Sequence, residues 1–156
     1  MRVLGVDYGR KRIGLALSDA TAIIARPWRS LPAAATPAGS AAALASLLAD
    51  ARAGGDDVVG ELAAVVVGLP RRLSGEDTDQ TQPARDFAGA LHALTRLDVH
   101  LQDERLSSRE AESRLARRER DWRRRKLRLD AAAAAVILQD FLDARATGAP
   151  EHGDAC

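Results

Sequence analysis

The sequence predicts one α/β domain, and three observations carry that prediction. Residues 3–19 hold an apolar run ending on a carboxylate, a Gly-containing basic turn and a second apolar run, which together read as strand, tight turn, strand. Ala63-Ala64-Val65-Val66-Val67-Gly68-Leu69-Pro70 is uninterrupted, apolar and β-branched, as a strand covered on both faces should be. A helical stretch from about Gln82 to Leu94 and another strand over Leu97–Leu101 follow it, and that spacing calls for a parallel crossover.

The bulk numbers agree. At 156 residues the chain suits one domain with a proper core, expected over 1–146, with a small, polar tail at 147–156 expected to fray. Apolar content of 46% and charged content of 29% are those of an ordinary globular protein. No apolar run is long enough to span a bilayer, and Met1 leads straight into the first strand, so neither a membrane helix nor a signal peptide is expected. The single cysteine, Cys156, rules out an internal disulfide, and there is no Cys/His metal cluster. A cytoplasmic protein is the expectation.

Taken in order, the first strand shows no polar alternation, and Gly5 inside it suggests that another element packs close to its backbone. Asp7 then stands where a central strand reaches the sheet edge. A carboxylate there must be solvated, hydrogen-bonded or metal-bound, or it merely opens the turn. Thr21–Arg26 is expected as a third strand running into Pro27, and 31–37 as a loop. A helix is expected over about Ala38–Ala53, with Leu44, Leu47 and Leu48 at helical spacing and Gly54-Gly55 as its stop. Asp56–Glu61 reads as an exposed connection, and Arg71–Thr81 as a polar loop with a Ser74-Gly75 turn.

After the last strand, Asp103 and Glu104 point to opposite faces if the chain stays extended, so only one can share a site with Asp7. Ser107-Ser108-x-Glu110 looks like a helix start. From Arg114 to Arg128 there are nine cations against Glu119 and Asp121, more than solubility requires, and such a run attracts phosphates. The final helix is expected from Asp130 to about Arg145, with Asp130 as its N-cap and 134, 137, 138, 141 and 142 as its apolar face. Asp130 falls on that same face, one turn before Ala134. His92 reads as a helix-surface residue, and packing is the simpler account of Tyr8, Trp28 and Trp122.

Three carboxylates, Asp7, Glu104 and Asp130, therefore stand at element ends that a crossover sheet can gather. Mg²⁺ takes one or two carboxylates plus waters and substrate phosphates. Two such ions about 3.5–4 Å apart would clamp the attacking and leaving oxygens of a phosphodiester. Arg10, Lys11, Arg71 and Arg72, with Arg105 beside Glu104 and Arg123, Arg124, Arg125 and Lys126 in the basic run, are the cations expected to hold a polyanion.

Four motifs, in order, resemble the YqgF/RuvX family of Holliday-junction-resolvase-like proteins, also described as pre-16S rRNA nucleases. They are Gly5-Val6-Asp7-Tyr8-Gly9 with Ile13-Gly14-Leu15-Ala16, Val67-Gly68-Leu69-Pro70, Asp103-Glu104-Arg105-Leu106-Ser107-Ser108 and Leu129-Asp130-Ala131. The resemblance implies an RNase H-like fold: a five-stranded mixed sheet, three antiparallel strands then two parallel ones, flanked by helices. It implies that Asp7, Glu104 and Asp130 bind Mg²⁺ or Mn²⁺, two ions being expected, and that the chain is a metal-dependent endonuclease.

Four readings follow. The first is 5′-end processing of precursor 16S rRNA, with the small ribosomal subunit as a partner. The second is resolution of branched DNA, which needs two active sites and so favours a homodimer. The third is a nucleic-acid-binding assembly or transcription factor with little catalysis. The last, an actin-like ATPase suggested by Asp7-x-Gly9, needs two such domains where this chain supplies one.

Overall fold

The computed structural model describes residues 1–104 and 122–146, with side chains described over 1–104 and 130–146. The chain runs β1 (Arg2–Tyr8), β2 (Arg12–Ser18), β3 (Ala25–Pro32), α1 (Pro37–Ala53), α2 (Asp57–Gly60), β4 (Leu62–Leu69), α3 (Thr81–Thr95), β5 (Asp98–Asp103) and α4 (Trp122–Ala146). One five-stranded sheet has the order β3-β2-β1-β4-β5. β1 pairs antiparallel with β2 and β2 with β3, whereas β1–β4 and β4–β5 are parallel. The fold is therefore RNase H-like, with the expected three antiparallel and two parallel strands. Among the described residues no helix is long and apolar enough to cross a membrane.

Strand alternation divides the sheet into two unlike faces. Leu4, Val6, Ile13, Leu15, Val65, Val67 and Val99 point to one face, where Leu44 and Leu48 of α1 and Phe87 and Leu91 of α3 bury them. On the other face Val3, Ala16, Ala64 and Val66 meet Ala134, Ile137, Leu138, Phe141 and Leu142 of α4. All five positions expected for the apolar face of the last helix are buried. Gly5 lies beneath α4: a Cβ there would sit 2.7 Å from Leu138 Cβ and 2.9 Å from the Ala134 carbonyl oxygen. The close approach read from the sequence is real, and α4 is what approaches.

Four expectations are corrected. The third strand is Ala25–Pro32 rather than Thr21–Arg26. Asp19 is the reason: its Oδ1 accepts from the Ile23 and Ile24 backbone N–H groups at 2.8 and 2.9 Å, and Thr21 Oγ1 donates to Oδ2. These bonds fold residues 19–24 into a turn, with Ala22 at φ +57°, and hold the Asp19 carboxyl well below the usual range. Pro27 and Pro32 are tolerated because β3 is an edge strand. The connection at 56–61 contains α2, since Asp56 Oδ1 caps the Val59 N–H at 3.1 Å and Val59 is fully buried. His92 lies partly buried and closes the end of α3 through Nδ1 to the Leu97 carbonyl, at 2.8 Å. Finally, α4 begins at Trp122, so Asp130 sits in the helix interior and is not an N-cap. The residues before it, Arg123 to Leu129, are helix formers with no Gly or Pro to stop them. The helix start expected at Ser107-Ser108 and most of the basic run lie outside the described residues.

Candidate active site

Because β1, β4 and β5 are parallel and β2 is antiparallel to β1, their relevant ends share one edge of the sheet. That edge carries the C-terminal ends of β1, β4 and β5 and the β1–β2 turn. Asp7 follows Val3 and Gly5 on the α4-facing side of β1. Past β5 the ladder continues one step, with the Glu104 N–H bonded to the Leu69 carbonyl at 3.2 Å. Alternation along β5 then turns Glu104, and not Asp103, to the side of Asp7. The two carboxyls share a hydrogen bond.

β4 lies between β1 and β5, so Glu104 must reach across a whole strand. Gly68 permits it. A Cβ at Gly68 would stand 2.7 Å from Glu104 Oε2 and 2.6 Å from Ile137 Cδ1, so the glutamate carboxyl lies directly over the glycine. Strands are about 4.8 Å apart, which explains a glutamate here rather than a shorter aspartate. Gly14 performs the corresponding service for Asp130. It is the cross-strand partner of Asp7, and a Cβ on it would come 1.9 Å from the Asp130 carbonyl oxygen. The α4 backbone therefore rests on the residue next to Asp7, and the Asp130 carboxylate acts on Asp7 through its charge.

The electrostatics follow from this crowding. Burial pushes Asp7 up to about 6; the hydrogen bond from Glu104 opposes that shift and the Asp130 charge adds to it. Glu104 is pushed well up by burial, then by the Asp7 charge, the bond it gives Asp7 and the Asp103 charge. Both carboxyls are thus displaced toward their neutral forms, and Glu104 gives the hydrogen bond that the two share.

That arrangement fits a hard divalent cation. Glu104 Oε2 is buried with no hydrogen-bond partner among the described residues, and all the available donors are oxygens. Among the described residues no three acidic or imidazole groups close onto one ion-binding point. The fold presents a buried carboxyl pair with a third carboxylate nearby, and a pair suffices for an ion that keeps waters and takes substrate phosphate.

The expected cations divide three ways. Arg10 and Lys11 lie on the β1–β2 turn, closed by the Gly9 N–H to the Arg12 carbonyl at 3.0 Å. Arg71 and Arg72 open the β4–α3 loop, at the same sheet edge. Arg105 lies outside the described residues. Arg123, Arg124, Arg125 and Lys126 fall on the first turns of α4, and the expectation for their side chains also lies outside the described residues. Tyr8 faces away from the acids and stacks on Phe87 with centroids 4.6 Å apart, so it belongs to the core. Sequence reasoning missed what Gly14 and Gly68 do, since each acts through a neighbour distant in the chain.

A mixed sheet of this order, with acids placed where its central strands end, is the arrangement of the RNase H-like proteins. The chain belongs to the RuvX family, whose model, described as "RuvX: Holliday junction resolvase", matches residues 1–144. Among similar proteins, a "Putative pre-16S rRNA nuclease" from Anaeromyxobacter dehalogenans (strain 2CP-1 / ATCC BAA-258) is 44% identical over 146 residues, covering 94% of this chain and 99% of its own. Another of the same name, from Maridesulfovibrio salexigens, is 39% identical over 142 residues, covering 91% and 98%. Thermus thermophilus RuvC, solved in complex with a Holliday junction substrate, shares the fold at a TM-score of 0.53 and 15% identity, over 97% of this chain and 99% of that one.

Proposed function

We propose that this chain is a metal-dependent endonuclease that trims the 5′ end of precursor 16S rRNA in the cytoplasm. The observation that carries the reading is the buried Asp7–Glu104 carboxyl pair, set over Gly68 with Glu104 Oε2 lacking a hydrogen-bond partner among the described residues. A folded protein keeps such a pair at a cost in stability, and a cationic ligand offsets that cost. The relatives' shared name supports rRNA precursor as the substrate.

Asp7 and Glu104 would hold Mg²⁺ or Mn²⁺, with Asp130 as the third acid. When bound, the ions polarise the scissile phosphate and supply a hydroxide-strength nucleophile. Both carboxyls would have to be ionised to hold a cation, and burial raises the pKa of both, so loading would favour higher pH. Asp130 adds negative charge from the α4 side and balances the cations. Arg10 and Lys11 on one turn, with Arg71 and Arg72 on the other, grip backbone phosphates and orient the strand across the carboxyl pair. Arg105, Arg123, Arg124, Arg125 and Lys126 extend that grip along the substrate.

The test is cleavage of a precursor rRNA 5′ leader beside a four-way DNA junction, each with Mg²⁺, Mn²⁺ or EDTA. The expected result is metal-dependent cutting of the RNA, reduced at least about 10³-fold in Asp7→Asn, the scale on which loss of a central transition-state interaction acts. Asp7→Asn should still bind RNA. Undiminished cleavage by that variant would sink the mechanism, and preference for the junction would replace rRNA processing with the resolvase activity named in the family's description.

A further inference from the structure

The β1–β2 turn and the β4–α3 loop are tied together by an acid that no motif pointed to. Arg10 Nη2 is ion-paired with Asp79 Oδ2. With its amide oxygen turned toward the guanidinium, Gln80 accepts from Arg10 Nε at 2.7 Å and Nη2 at 3.0 Å. In the same loop Arg71 Nε faces Asp77 Oδ1 at 3.6 Å.

The loop that presents these acids is itself built. Arg71 and Asp77 form an antiparallel bridge. The Arg72 N–H bonds the Glu76 carbonyl at 2.8 Å, and the Gly75 N–H bonds the Arg72 carbonyl at 2.8 Å. At its base Thr81 Oγ1 donates to the Pro70 carbonyl at 2.5 Å and accepts from the Thr78 N–H at 2.8 Å. Asp79 lies two residues from that anchor, so its place against Arg10 is set by the backbone.

A guanidinium fork met by anionic and amide oxygens is also the geometry in which a phosphate binds. We propose that Arg10 and Gln80 form a subsite for one backbone phosphate of a polynucleotide, and that Asp79 occupies it as an internal surrogate until the phosphate displaces it. The proposal rests on reading the neighbouring carboxyl pair as a nucleic-acid-processing site. Exchange is easy because Arg10 and Asp79 are 64% and 77% exposed and exposed ion pairs contribute little. Arg71 is 24% exposed and its contact is longer, so Asp77 orients a cation rather than latching it. A phosphate delivered to Arg10 thus releases the tie between the two loops flanking the acids.

The test is binding of a fluorescent single-stranded RNA in EDTA, so that nothing is cut. Asp79→Asn should bind about two- to five-fold tighter, as release of an exposed ion pair allows. Its salt dependence should steepen by up to about 0.7 in the log–log slope, the value of one added phosphate contact on a single strand. Glu76→Gln, an exposed acid of the same loop, controls for general charge, and its gain should be under half as large. In an Arg10→Ala background the gain from Asp79→Asn should shrink to that of Glu76→Gln. Weaker or unchanged binding by Asp79→Asn, an equal gain in Glu76→Gln, or a gain that persists undiminished without Arg10 would each overturn the proposal. The readout is separate from cleavage, so loss of the nuclease reading would leave a positive latch result standing, and the reverse holds too.

Discussion

The two faces of the sheet are covered in opposite ways. The face under α1 and α3 is filled by large aliphatics and Phe87, a conventional core whose side chains hold the helices off. The face under α4 is paved with small residues, Gly5, Gly14, Ala16, Ala64 and Gly68, and α4 descends onto it until backbone touches backbone. The first face maximises buried apolar area; the second gives up side-chain volume for proximity. Only the second lets Glu104, at the end of β5, reach Asp7 on β1 and brings Asp130 of α4 near enough to act on that pair through its charge. On this molecule, small residues mark function more sharply than large ones.

The comparison can be broken by exchanging the two kinds of damage. Phe87→Ala removes a fully buried ring from the first face and should cost about 3–5 kcal/mol of stability. The cleavage rate per folded molecule should stay near wild type. Gly68→Ala should do the opposite. Its Cβ meets two flexible side-chain ends, so the stability cost should be about 1–2 kcal/mol, while Glu104 is pushed off Asp7 and cleavage falls by about 10²-fold. Urea titrations beside single-turnover rates would separate the two, and equal effects on both readouts would dissolve the contrast between the faces.

A second prediction sharpens it through pH. Asp7 titrates near 6 in the folded chain and ordinarily near 3.8, so the native state holds the proton more tightly than the unfolded one. Metal-free stability should therefore be highest below pH 4 as far as this group is concerned, and fall as pH rises through 4 to 6, by about 2–3 kcal/mol. Denaturation midpoints in EDTA at several pH values would show the fall, and Asp7→Asn should flatten it. The smallest effect comes from a glycine that does nothing for the site. Gly89 on the exposed face of α3 has no atom within 4 Å of an added Cβ, so Gly89→Ala should stabilise the protein by about 0.5–1 kcal/mol and leave cleavage unchanged. A thermal melt would suffice to check it.

These contrasts also explain how much could be read in advance. The apolar run at β4 announced a central strand because burial on both faces leaves no alternation. The facing of Glu104 followed from the two-residue period of a strand. Gly5 announced its close neighbour, since a glycine inside a strand needs a reason. The start of β3 could not be read, because one exposed side chain, Asp19, captures two backbone N–H groups and delays the strand. Nor could the start of α4, where an aspartate suited to capping follows residues that are equally suited to helix. Gly68 and Asp79 act across neighbouring strands or between loops, so their roles exist only once the chain has folded.

The order in which the three acids occur has a consequence for the time before folding is complete. Asp7 lies on the first strand, but Glu104 reaches it only after β4 has paired between β1 and β5, and Asp130 arrives with the last helix. A growing chain emerges N-terminal end first, so through most of its synthesis it carries only the first of the three acids and the basic turn beside it. The proposed site is incomplete until the last helix arrives. For an enzyme proposed to act on ribosomal RNA, and made beside ribosomal RNA, late assembly of the site is a built-in safety interval.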